Sequence, residues 1–79
     1  MLNTGIIIRS VWVLNNTIDG IEASIVAGAT RAGPRRKLPE GAQLLICGVG
    51  FDEHTVKVFW SGNYYFVYTQ HLRTAGVSN

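Results

Sequence analysis

The sequence predicts an all-β protein, and three observations carry that prediction. From Leu38 to Leu72, runs of β-branched and aromatic residues alternate with turn residues at short, regular intervals. Within those runs apolar side chains recur at period two, as in Val56, Val58 and Trp60 set against Lys57 and Phe59. The breaks between them hold the residues that tight turns need, among them Asn15-Asn16, Asp19-Gly20 and Ser61-Gly62-Asn63. With 79 residues there is room for a single domain, 1–79, and one core; a chain this short buries only about 60% of the surface it exposes when unfolded.

Gly5 to Leu14 reads as a first strand. Ile6, Ile8, Ser10, Trp12 and Leu14 lie on one face and Ile7, Arg9, Val11 and Val13 on the other, so both faces are largely apolar. Asn15-Asn16 and Asp19-Gly20 tolerate positive φ and read as turns. Ile21 to Thr30 fits two periods. At period two, Ile21, Ala23, Ile25, Ala27 and Ala29 form an apolar face; at period 3.6, Asp19 caps a helix with Glu22 reaching back and Gly33-Pro34 ending it. The strand is favoured, because the alternation runs through ten residues and Gly28 weakens a helix. Arg31 to Lys37 reads as a loop carrying four of the seven basic residues. Leu38-Pro39-Glu40-Gly41 turns into a strand over Ala42–Val49, Val56–Trp60 and Tyr64–Tyr68 follow, and Thr69–Leu72 makes one helical turn that returns Leu72 to the core. Arg73–Asn79 reads as a frayed tail. Leu44, Ile46, Val58 and Trp60 are the expected core.

Hydrophobic residues make up 47% of the chain and charged residues 15%, which excludes disorder and leaves few polar groups to cover the outside. A homo-oligomer is the expected outlet for that excess. The lone Cys47 excludes an intrachain disulfide and reads as a buried, inert thiol. The first residues show no basic leader or cleavage site, and their apolar run is broken at Arg9-Ser10, so no membrane span is expected and the reading is cytoplasmic. In that compartment the Asn15-Asn16-Thr17 acceptor triplet stays unused. A net charge of +2 and a pI of about 9.0 are only mildly basic.

Positions 38 to 72 resemble the bacterial Src-homology-3-like domains. Leu38-Pro39-Glu40-Gly41 looks like that family's entry turn, Ala42–Val49 its next strand, Val56–Trp60 its central strand, and Gly62–Leu72 its closing turn, strand and one-turn helix. Phe66, Val67 and Leu72 match the closing motif, while Tyr65 stands where the family often has glycine and His71 where it has an aromatic. The resemblance implies a small five-stranded, partly open SH3-like barrel with a short one-turn helix near the C-terminus, the first half supplying the remaining strands and the arginine loop. Eukaryotic relatives bind proline-rich peptides on stacked rings. This chain puts Tyr68 and His71 at the positions of that groove's proline and tyrosine and lacks its acidic loop, which argues against the same ligand. Plasmid-borne dihydrofolate reductases use a similar barrel, but their Val-Gln-Ile-Tyr motif is replaced here by Tyr64-Tyr65-Phe66-Val67, with no glutamine.

Two clusters are candidates for recognition. Aromatic residues crowd the last hairpin, and alternation turns half of them outward; Phe59, Tyr64, Tyr65, Tyr68 and His71 are the candidate partner-binding set, set against the plainer reading of cross-strand packing. Arg31, Arg35, Arg36 and Lys37, with Lys57, are the candidate nucleic-acid set, set against a solvated loop that keeps an apolar protein soluble. Four phosphate contacts on duplex DNA would give a log–log salt slope of about −3.6. Asp52-Glu53-His54 reads as a solvated turn tip. No nucleophile motif, phosphate loop or metal-ligand spacing is present, so no cofactor, no metal and no catalysis are expected. The expectation is a binding module for a protein partner, of adaptor or inhibitor type such as phages and mobile elements encode, with nucleic acid as the second reading.

Overall fold

A computed structural model describes residues 9–78 and places them in one antiparallel sheet of seven strands with one short helix. The elements are β1 (Val11–Leu14), β2 (Ile18–Val26), β3 (Ala29–Leu38), β4 (Gln43–Val49), β5 (Thr55–Trp60), β6 (Asn63–Tyr68), α1 (Thr69–Ala75) and β7 (Gly76–Ser78). The strands run β3-β2-β6-β5-β4-β1-β7 across the sheet. The all-β class holds, but there are seven strands rather than five, and β3 and β7 end the order as open edges. The sheet still wraps one core. Ile18 of β2 and Trp12 and Leu14 of β1 come from opposite halves of the order, yet they share a cluster with Leu38, Leu44, Ile46, Val58, Val67 and Leu72. Only a strongly twisted, coiled sheet brings them together.

The alternation fixes the faces of β4, β5 and β6 as expected. Leu44, Ile46 and Val58 are fully buried, with Val56 and Val67 beside them. Trp60 packs against that cluster but stays half-buried, because it ends β5 next to the Ser61-Gly62 turn. Cys47 is half-buried rather than buried, since it alternates with the core residues Leu44 and Ile46 and so falls on the other face of β4.

The first half departs further from the sequence reading. Gly5–Ile8 of the expected first strand lies outside the described residues, and the strand proper starts at Val11, after Arg9 with φ 75°. Asp19-Gly20 is not a turn. It lies inside β2, where the missing Cβ of Gly20 lets Leu38 and Tyr65 close over the backbone. Ile21–Thr30 is extended as favoured, but the turn Ala27-Gly28 divides it, with positive φ at both residues, 53° and 81°. That is the backbone of a two-residue hairpin turn. The expected arginine loop is therefore the edge strand β3, paired to β2 from Ala29 to Leu38. Pro34 is tolerated there because β3 pairs on one side only and the ladder shifts register opposite Ile21–Ala23.

At the C-terminus the single helical turn grows to seven residues and the expected frayed tail is structured as far as Ser78, Asn79 lying outside the described residues. Leu72 and Ala75 are buried, and Gly76–Ser78 pairs with β1 in the register Leu14↔Gly76 and Trp12↔Ser78. The Asn15 amide donates to the Ala75 carbonyl, locking the end of β1 to the end of α1.

Candidate functional site

The sheet has an inner face on the core and an outer face that carries no strand or helix packed across it among the described residues, and cross-strand register says which side chains share the latter. Directly paired residues point to the same side. The register links Val11↔Leu45, Leu45↔Phe59, Phe59↔Tyr64, Tyr64↔Ala23 and Ala23↔Ala32, a row of apolar side chains across six strands. A second row runs Arg35↔Ile21, Ile21↔Phe66 and Phe66↔Lys57. Val13 and Val77 pair at the far side of the same face. Leu45 is 38% exposed, Tyr64 43% and Val77 56%, so the face is wet and apolar at once.

Its centre is an aromatic cluster. Phe59 and Tyr64 lie 5.0 Å apart between ring centroids, and the Lys57 ammonium sits 4.7 Å from the centre of the Tyr64 ring. Phe51, in the loop between β4 and β5, folds back onto this face and meets Phe66 at 5.3 Å and Tyr68 at 6.3 Å, both edge-on. Phe66 is buried under it although it points outward. His71, on α1, continues the chain of rings 5.5 Å from Tyr68. The loop can turn so tightly because Gly50 has no Cβ to strike Thr55, whose hydroxyl bonds Asp52. Asp52 accepts from the His54 amide at 2.8 Å, which makes Asp52–His54 the solvated turn the sequence indicates.

Of the partner-binding residues read from the sequence, Phe59, Tyr64, Tyr68 and His71 gather on or beside this face. Tyr65 does not. It is 6% exposed, pairs with Val58 on the inner face and packs against Trp60, so it belongs to the core and offers no ring to a partner. Leu45, Val11 and Phe51 were missed by the sequence reading: Leu45 is hidden in an unbroken apolar run, and the fold-back of Phe51 depends on a loop whose shape only the structure gives.

The basic set is divided. Arg35 pairs with Ile21 and faces outward with Lys37, whereas Arg36 pairs with Gly20 and Arg31 with Ser24 on the opposite side. Arg36 lies 3.8 Å from Glu22 and Lys37 lies 2.9 Å from Asp19. The hydrogen bond and charge of Lys37 hold the Asp19 carboxyl below the ordinary carboxylate range, with Arg35 and His71 adding weaker pulls the same way. Lys57 joins the outer face. The five cations thus form no single track for a phosphate backbone.

A pocket of about 330 Å³ opens beside the face, between the start of β2 and α1. Thr17, Asp19, Lys37, Gln70, His71 and Thr74 line it, and the Asp19–Lys37 pair occupies one wall. Among the described residues no three His, Cys, Asp or Glu side chains converge as metal ligands, and no helix is long and apolar enough to cross a membrane. Comparison with known proteins finds no match: no family model, no curated protein and no solved structure.

Proposed function

We propose that the protein is a non-catalytic binding module that recognises a protein partner through the outer face of its sheet, in the manner of a small adaptor or inhibitor. The observation that carries this is the register-linked row Val11, Leu45, Phe59, Tyr64 and Ala23, apolar across the sheet and partly open to solvent. Contiguous apolar surface of this kind favours burial against another protein. Tyrosine and phenylalanine at its centre supply large rigid area at low entropic cost. Kinship to the Src-homology-3-like barrels is part of the proposal; a first strand flanked by the last, a meander of three strands and a short helix before the closing strand support it. Self-association through the same apolar surface belongs to it too, and a light-scattering mass that stays near 8.7 kDa as the protein is concentrated argues against that part.

Nucleic acid is the second reading, favoured by Lys57 and Arg35 beside the rings. The rings themselves count against it. Lys57 already lies over one face of the Tyr64 ring and Phe59 packs 5.0 Å from it, which leaves less of that ring for a base to stack on. The deciding experiment captures the partner from the native host, reconstitutes the purified pair and measures binding with Leu45→Asp and Tyr64→Ala. Each variant should weaken the complex by about 2 kcal/mol or more. Unchanged affinity, or a shift of mixed single- and double-stranded probes at low salt that Ala at Arg31, Arg35, Arg36 and Lys37 removes, overturns the proposal.

A further inference from the structure

The charges on the outer face are one-sided, and this specifies the partner's chemistry beyond its being a protein. Register and ring contacts place Arg35, Lys37 and Lys57 on that face. Asp19 is the carboxylate that shares it among the described residues, and it is bound to Lys37 at 2.9 Å. The nearest other acids, Asp52 and Glu53 in the Phe51 loop, are turned to their own neighbours: Asp52 takes the His54 amide and the Thr55 hydroxyl, and Glu53 lies 3.6 Å from His54. Glu22 points to the opposite side, paired with Tyr65 in register and with Arg36 in charge. Lys57 and Arg35 are left flanking the apolar row, Lys57 two residues along β5 from Phe59 and diagonal to Tyr64, and Arg35 at the β3 edge.

Resting on the reading of the outer face as a protein-binding surface, we propose that its occupant is an acidic, apolar segment of a partner protein. An aliphatic or aromatic anchor lies on the Leu45–Phe59–Tyr64 row, and separate acidic residues beside it reach Lys57 on β5 and Arg35 on β3. A basic segment meets two cations and is repelled. The aliphatic ends of the row, Val11 and Ala23, match an apolar side chain and give a nucleotide nothing to stack on.

The test is a phage-displayed library of short random peptides panned on the full chain, in parallel with the Tyr64→Ala, Lys57→Glu and Lys57→Gln variants, each checked for an unchanged circular-dichroism spectrum. The expected result is enrichment of peptides with Asp or Glu beside Leu, Phe or Trp. Tyr64→Ala abolishes their binding, Lys57→Gln weakens them roughly tenfold by fluorescence polarisation, and Lys57→Glu selects basic peptides instead. Peptides that need Tyr64 but show no acidic excess overturn this inference and leave the protein-binding reading standing. If no enriched peptide depends on Tyr64, both fall. A random single-stranded oligonucleotide that binds the wild type and is lost with Lys57→Glu also overturns both, in favour of nucleic acid.

Discussion

The base of the sheet, where it coils round the core, and the outer length of the β2–β3 hairpin use the same backbone ladder but are held by different forces. In the base, Leu44, Ile46, Val58, Val67 and Leu72 are removed from water, and alternate residues of β4 up to its bulge and of β5 contribute to one cluster. In the arm, β3 is exposed along nearly its whole length and only Leu38, at its root, is buried. There the ladder, the Ala27-Gly28 turn and a register shift do the holding. The difference teaches what period-two patterning reports. It reports burial of one face, and where neither face is buried it reports nothing.

That contrast is broken most directly in the base. Leu44→Ala removes a fully buried side chain from the centre of the cluster and should cost about 2–5 kcal/mol, enough to unfold much of a domain this small. Trp60→Ala, at the half-buried end of β5, should cost less, about 2 kcal/mol, despite deleting more atoms. Urea melts of the two variants settle the order; a larger loss for Trp60→Ala places the heart of the core elsewhere.

The same contrast explains which parts of the molecule the sequence disclosed. Val56–Trp60 and Tyr64–Tyr68 were assigned to the correct faces because one side of each is buried, which ties polarity to position. Asp19-Gly20 reads as a turn in the sequence because the close approach by Leu38 that its glycine serves is a tertiary fact with no local signature. The basic run looked like a loop because an exposed edge strand tolerates Gly33, Pro34 and charges that an inner strand does not. Arg73–Asn79 looked like a tail because β7 is three residues long and is held mainly by β1. Of the candidate face, the aromatic centre was readable from alternation, whereas Leu45, Val11 and Phe51 join it through register and loop geometry.

A smaller and more local effect tests whether the arm opens on its own. Gly28 has φ 81° with no neighbour near its missing Cβ, so Gly28→Ala adds only backbone strain, about 1–2 kcal/mol. Amides of the Ala23–Ala32 stretch should then exchange with solvent roughly tenfold faster, in proportion to that loss. Ile46→Val, a milder cut in the same core of about 0.5–1.5 kcal/mol, should leave those same amides unchanged while speeding exchange in β4 and β5. Equal acceleration of both regions by either variant shows that arm and base open as one unit, and the comparison fails.

The smallest effect lies at the root of the arm, where Asp19 of β2 and Lys37 of β3 pair beside Leu38. Lys37 lowers the Asp19 carboxyl in the folded state, first by its hydrogen bond and then by its charge. A carboxyl whose folded value lies below its unfolded one releases its proton more readily when folded. Its contribution is therefore complete above the ordinary carboxylate range and is lost as pH falls through that range to the folded value. Both groups are largely in water, which keeps the contribution small and makes it shrink with added salt. Asp19→Asn should remove that part of the acid limb and leave stability at neutral pH little changed. Thermal melts from neutral to acid pH, with and without added salt, provide the check: an Asp19→Asn variant that loses stability on acidification as steeply as the wild type shows that the acid response comes from carboxylates other than the one that joins arm to base.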